Sequence, residues 1–579
     1  FVGGSGNATI VGGGGNDVIS VLSGQASSHY YIVTGTGDDK VNIGDGTTII
    51  DMYGGDDRIA LNSINAHIQL DFSKANIASS GGVSIDLVND IAVGLGKTST
   101  LFLGVGQVES LIGSAGKDFM RGTSRTVLFD GGLGGNDTFD VSTYAAATIM
   151  GAATSQNNLQ FHDATGGIAV NMTDGSYTTA DHASGTFGSI SSLKTTDFND
   201  TVVLSSQNIH LDLGNGNNSV VGGSGDIYLV AGSGNDGLTL SKGLVTSAYD
   251  LSLGAGNDTV FINEVGSLQI DLGSGLNALY SNASSVNTTY SISAGKGLNL
   301  DQDTISLSNG TGKIDLTVGG SVDRSVIDLL RANNTSSAYT ILGGITNDIK
   351  LGQGSYTVVG GTGNDTIAAL SNASVNISGG GGGADQFTIG NATATIAGGA
   401  GNDTVVVQGS AAVTAALAGG SNQFSAVNGK ANSSYKITAG DGGTDTITLG
   451  SGKGTIDLSV GDKAALSAIV DVTASNDLRS AYTITGGDSN SIKLGQGSYT
   501  VFGGTGNDTI AALGNGSVNI SGGGGADQFT ISNATANIVG GAGNDQVLVT
   551  GSGSVTAALA SGSNQFSAVN GTANSSYKI

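Results

Sequence analysis

A nine-residue pattern, glycine-rich in its first half and aliphatic in its second, governs what this chain can fold into. Gly3-Gly4-Ser5-Gly6-Asn7-Ala8-Thr9-Ile10-Val11 is followed at once by Gly12-Gly13-Gly14-Gly15-Asn16-Asp17-Val18-Ile19-Ser20. The pattern reads G-G-x-G-x-D-x-U-x, with U a large aliphatic residue. Its sixth position returns at Asp39, Thr48 and Asp57, and then at Asp200, Asn218 and Asp236 with Ile227 midway. Asp258, Asp365, Asp385, Asp403, Asp508, Asp527 and Asp545 fill it again. Steps of 18 to 22 residues separate most neighbours within a cluster, so one coil comprises two nine-residue halves, of which one keeps its aspartate.

Glycine permits positive φ and close chain approach at a tight turn. The U residue, flanked by small polar residues, makes a short strand with one face inward. A single coil buries little, so stability has to come from stacking coil on coil. The expected fold is therefore all-β: a parallel β-roll or β-solenoid with about 18–20 residues per coil. Stacking brings each aspartate over the equivalent turn of the next coil. Carboxylates and turn carbonyls then form an all-oxygen environment suited to a hard cation such as calcium. Without a cation the aligned carboxylates repel, which would couple binding to folding. Asp and Asn also bond nearby backbone amides, so a capped turn is the competing reading of the same residues.

At these residues the chain resembles the calcium-binding nonapeptide repeats of RTX (repeats-in-toxin, hemolysin-type) proteins. Two further segments look like the spacers that punctuate such repeats. One runs from Asp71-Phe72-Ser73 through Gly82-Val83-Ser84-Ile85-Asp86-Leu87 to Val108-Glu109-Ser110 and Gly113-Ser114-Ala115-Gly116-Lys117-Asp118. The other runs from Gly167-Ile168-Ala169-Val170-Asn171-Met172 to Ser192-Leu193 and Asp200. The resemblance implies a parallel β-roll, type I secretion and calcium-triggered folding outside the cell. The calcium ligands it implies are Asp17, Asp39, Asp57, Asp118, Asp137, Asp200, Asp236, Asp258, Asp365, Asp385, Asp403, Asp508, Asp527 and Asp545. Asn7-Ala8, Asn218, Tyr356, Gln423 and Tyr499 stand where the family pattern wants aspartate, which implies a sparse metal ladder. Asn before the aspartate (Asn16, Asn364, Asn402, Asn507, Asn544) is expected to serve the turn.

A longer period overlies the short one. Leu351-Gly352-Gln353-Gly354-Ser355-Tyr356 returns as Leu494-Gly495-Gln496-Gly497-Ser498-Tyr499, an offset of 143 residues. Four regions follow: an irregular section with both spacers (1–215), a solenoid (216–350), one long repeat (351–493) and a second, truncated one (494–579). The second copy ends in mid-repeat, so a section of something longer is expected. Arg324 to Arg331 is the best helical segment, with a degenerate counterpart at Ala464 to Val472; a lateral insert or ordinary coil is the preferred reading of both. Tyr356 and Tyr499 are read as packing between coils rather than as sugar platforms.

Composition narrows the function. The absence of cysteine removes disulfide frameworks and thiolate metal sites. With 46 acidic against 21 basic residues the formal charge is −25, which disfavours nucleic acid and anionic membranes as partners. No apolar run is long enough to span a membrane as a helix. The five histidines (His29, His67, His162, His182, His210) form no H-E-x-x-H motif and are read as structural. No G-x-S-x-G elbow follows an apolar strand, and the glycine tract Gly379–Gly383 lacks the Lys-Ser/Thr ending of a phosphate loop. The reading is a non-catalytic, secreted, calcium-binding structural protein: part of a bacterial surface layer, extracellular filament or adhesin stalk. Copies of itself are the expected partner and a cell-surface polysaccharide a further candidate. A carbohydrate- or receptor-binding adhesin module and the secretion segment of an RTX hydrolase or toxin are the alternatives.

Overall fold

The structure is a computed structural model that describes all residues except 76–81, 95–99, 104–107, 241–242, 283–286, 295–301, 318–323, 460–466 and 572–574. Among the described residues every regular element is a β-strand, most of them four to eight residues long. The chain forms two compact units, Phe1–Gly273 and Ser274–Ile579, and each is a parallel β-solenoid. This is the fold expected from the repeat.

In the second unit each coil gives one strand to each of two stacks. Strands Thr366–Ala369, Gln386–Ile389, Thr404–Val407 and Gln423–Ala426 pair in parallel and in register, and Ile367, Phe387, Val405 and Phe424 share one inward column. The opposite stack runs through Gly354–Gly361, Ala373–Gly380, Thr393–Ala397 and Ala412–Ala416, where Val358, Ile377, Ile396 and Ala415 make a second column. All eight are at most 1% exposed. Burying each large aliphatic or aromatic side chain is worth about 1.5–3 kcal/mol, and a coil contributes several. The U position of the repeat is this inward column. The small polar residues on either side face solvent.

Tyrosines fill the wider part of the interior. Tyr339 and Tyr356 stack at 6.2 Å with an interplanar angle of 9°, and Tyr482 and Tyr499 at 6.3 Å and 14°. Tyr356 and Tyr499 are buried, and their hydroxyls donate to the carbonyls of Gln353 and Gln496 at 2.9 and 2.8 Å. They pack between coils, as expected, on inward strand positions and not in the aspartate slot. Thr48 likewise sits inward in strand Gly46–Asp51, opposite Tyr30 and Ile68. The slot at 422–423 belongs to Asn422, while Gln423 opens the following strand.

Arg324–Leu329 is a strand, because Ser325, Ile327 and Leu329 alternate inward at a period of two. Of its counterpart, Ser467–Thr485 is strand and 464–466 lie outside the described residues.

The spacer segments interrupt the parallel order of the first unit. After Ala66–Asp71, strands Ser84–Asp86, Ile91–Val93 and Thr100–Leu103 form an antiparallel meander. Its outer members join the parallel stack, Thr100–Leu103 on Arg58–Leu61 and Ser84–Asp86 under Phe119–Arg121. The second spacer repeats the device with Ile168–Asn171, Ser176–Thr179 and Ser184–Gly188. That meander joins Thr148–Met150 on one side and Thr201–Leu204 on the other, in the stack opposite to that of the first meander.

Candidate functional site

The sixth-position aspartates stand at the point where a turn enters a strand, and they form a ladder along the solenoid. Each backbone N–H donates to the side-chain Oδ1 of the equivalent residue one coil later. In the first unit Asp17 donates to Asp39 at 2.8 Å and Asp39 to Asp57 at 2.9 Å. Asp118 donates to Asp137 and Asp137 to Asn157. After the second spacer the ladder moves to the other stack, running through Asp200, Asn218, Asp236 and Asp258. In the second unit it connects Asn347, Asp365, Asp385, Asp403, Asn422 and Asp445. It resumes through Asn490, Asp508, Asp527, Asp545 and Asn564.

Where asparagine precedes a ladder member, it works in the other direction. Asn16 Oδ1 accepts the N–H of Asp38, Asn364 that of Ala384, Asn402 that of Ser421, Asn507 that of Ala526 and Asn544 that of Ser563. The Asn-Asp pair therefore clamps one coil to both neighbours, the aspartate reaching back and the asparagine forward. This accounts for the turn role expected of those asparagines. Coil length can vary while the clamp persists: the step is 18 residues from Asp385 to Asp403 and 23 from Asn422 to Asp445.

Every one of the fourteen aspartates singled out from the sequence occupies this slot, and all but Asp17 are buried. The sequence reading missed Asp303 and Asp445, to which Asn277 and Asn422 donate. It also missed the asparagines that fill the slot at 157, 277, 347, 422, 490 and 564. Their turns lack the full glycine pattern. The signal that finds them is Asx two residues before an inward aliphatic or Phe, as in Asn347 with Ile349, Asn422 with Phe424 and Asp445 with Ile447.

Asn makes the ladder bond as well as Asp, so that bond does not explain the charge. The second carboxylate oxygen does. Oδ2 of Asp17, Asp39, Asp57, Asp137, Asp236, Asp365, Asp403, Asp508, Asp527 and Asp545 is buried and accepts no hydrogen bond. A buried carboxylate oxygen without a partner is costly unless it is neutralised or meets a cation. Burial drives several ladder carboxyls upward: Asp57 and Asp137 to about 7, and Asp365, Asp385 and Asp527 to about 6, with desolvation the largest cause in each.

Where the turn opens with glycine five or six residues before the aspartate, Oδ2 faces that glycine. A methyl group on Gly360 would collide with Asp365 Oδ2 and with the Gly379 carbonyl oxygen of the next coil. The same pair of oxygens crowds Gly379 (Asp385 and Gly398), Gly503 (Asp508 and Gly522) and Gly522 (Asp527 and Gly540). Carboxylate and carbonyl oxygens thus converge at these rungs, a donor set that suits calcium. No group of three or more His, Asp or Glu able to hold a metal occurs among the described residues, so carbonyls and water would complete any coordination.

Two ladder members are built differently. At Asp118 and Asp200 the second glycine of the turn is replaced by Ser114 and Thr196. Their backbone N–H groups donate to Oδ2 at 2.7 and 2.9 Å, and their hydroxyls to Oδ1 at 2.7 and 2.8 Å. The Oδ1 of each also accepts a spacer amide, Val83 N–H at 2.6 Å or Ile168 N–H at 2.7 Å. Asp118 and Asp200 are therefore saturated by hydrogen bonds, and both stand on the first coil after a spacer. They fit a capped turn rather than a metal ligand.

The histidines lie apart from one another. His162 Nδ1 meets Asp140 Oδ1 at 2.8 Å and His67 Nδ1 meets Glu109 Oε1 at 2.7 Å. Among the described residues no helix is long and apolar enough to cross a membrane. Compared with known proteins, the chain matches no family model and no curated sequence. The resemblance to calcium-binding nonapeptide repeats consequently rests on the turns themselves.

Proposed function

We propose that the chain is a non-catalytic structural section of a secreted, calcium-binding bacterial assembly: a surface layer, an extracellular filament or an adhesin stalk. The observation that carries this reading is the series of buried, unpartnered Oδ2 atoms, repeated rung after rung in both units. A single pocket would suit an enzyme; a donor set distributed along a solenoid suits a material whose order depends on an ion. Calcium would neutralise the rungs and lock each coil to the next, so that the chain folds where calcium is abundant. The acidic surface of the −25 chain would let the same ion bridge copies of the protein.

The test is circular dichroism with light scattering during calcium titration of EGTA-treated protein. The expected result is a coil-to-β transition accompanied by growth in particle size. Folded protein that ignores calcium would reduce the aspartates to turn caps and remove the calcium reading. Folding without growth would leave a monomeric stalk.

A further inference from the structure

We infer that a cleft in the second unit binds a row of oxyanions, the carboxylates or phosphates of an acidic glycan. The cleft encloses about 570 Å³ and is lined by Lys430, Asn432, Lys453, Asn476, Asp477 and Arg479, among others. Its three cations come from three successive coils. Lys430 lies in the turn before strand Ser434–Thr438, and Lys453 opens the next strand of that stack, opposite Ser434. Arg479 precedes by two residues Ala481, the register partner of Lys453 one coil further on. Coils in a parallel stack are about 4.8 Å apart, so the three charges form a short row.

The cleft is lined with donors. Lys430 and Lys453 form no ion pair among the described residues. Asp477 holds Arg479 as a fork, Nε to Oδ1 at 3.1 Å and Nη2 to Oδ2 at 2.8 Å, which fixes the guanidinium while Nη1 stays available. Asn476 Oδ1 accepts from Ser451 Oγ at 3.3 Å and Asn432 Oδ1 from Ser410 Oγ at 3.4 Å, which leaves both amide NH2 groups to the cleft. Distant acidic groups are screened beyond about 8 Å at physiological salt, so they do not cancel this local field.

The coil itself does not require these cations. In the related earlier stretch Thr311-Gly312-Lys313 stands in place of Lys453-Gly454-Thr455, its lysine two residues on and paired with Asp315 at 2.7 Å. Ser336-Ser337-Ala338-Tyr339 stands there in place of Arg479-Ser480-Ala481-Tyr482. The later copy has Thr572-Ala573-Asn574 in place of Lys430-Ala431-Asn432. Three basic residues have been placed together in a chain with only 21, at sites where its own copies carry neutral ones. None of the ladder residues lines the cleft, so the site stands independently of the calcium reading.

The test is isothermal titration of the full chain at physiological ionic strength with oligogalacturonate, with polyphosphate and with neutral dextran. Each is compared between the native protein and K430T/K453T/R479S, which borrows the residues of the related copies. Binding of either polyanion but not dextran, weakened at least ~10-fold in the variant and by added salt, is expected. The carboxylate and phosphate arms identify the source of the anion. If the triple variant lost its β spectrum, K430T alone would serve, with a smaller loss expected. Absence of polyanion binding, or equal binding by the variant, would overturn the inference. So would a native dimer that dissociates in the variant, because the cleft would then belong to an acidic second copy.

Discussion

The two oxygens of a ladder carboxylate have separate duties. Asp527 Oδ1 takes the N–H of Asp508 at 2.9 Å, while Oδ2 is buried without a partner. Replacing the residue with Asn keeps the first contact and removes the charge. D527A leaves the Asp508 amide buried and unpaired, at a cost of about 1–3 kcal/mol. We therefore expect urea unfolding in EGTA to rank D527N at or above the native protein and D527A below it. The pH dependence follows from the same oxygen. The raised carboxyls, at about 6 to 7, keep their protons in the folded state where the unfolded chain has already lost them. Stability without calcium should therefore fall as pH rises from about 4 to about 7, the folded state binding more protons throughout that window. A melting temperature in EGTA that rises with pH over this range would contradict the assignment.

Turns and strands divide the constraints between them. The first glycine of the turn admits no side chain: G379A would drive a methyl group into Asp385 Oδ2 and the Gly398 carbonyl. Gly381, two residues on, has its nearest atoms at 3.6 and 3.8 Å, ordinary contact for a methyl group. G379A should therefore lower the thermal midpoint sharply and G381A hardly at all. The sequence made much of this legible. Period, inward column and aspartate slot follow from glycine spacing and aliphatic placement, and the Asn-Asp pair could be read as turn chemistry. The direction of strands could not be read. Alternation in Ile168–Asn171 or Ser176–Thr179 is the same whether the neighbour runs parallel or antiparallel, so the spacers gave no sign of being meanders. Arg324–Leu329 offered a helical period by coincidence, because Val326, Ile327, Leu329 and Leu330 satisfy both spacings. Asp445 was missed because the turn before it departs from the glycine pattern, although its ladder bond does not.

At the scale of a whole unit, stability is a sum over neighbours. Asn347 and Asn490 hold equivalent rungs, each donating to the next aspartate at 2.8 Å, and they are 143 residues apart. Ladder and strand register between them pass through 365, 385, 403, 422, 445 and 468, so the interval is a whole number of coils. Deleting 348–490 would seat Ser491 where Asp348 was and stack Asp508 on the coil of Asn347. Because coils interact only with adjacent coils, the shortened chain should fold, with an unchanged far-ultraviolet spectrum per residue. A deletion shorter by half a coil would send inward columns to the wrong stack, and should yield aggregated protein.

The interchange of Asp and Asn on the ladder bears on how such a protein changes over generations. Codons for the two residues differ at a single base, and either residue keeps the coil-to-coil bond, as Asn218 does between Asp200 and Asp236. One-step mutation can thus add or remove charge at any rung while the architecture stays intact. A lineage could change the charge carried along the solenoid without passing through a misfolded ancestor.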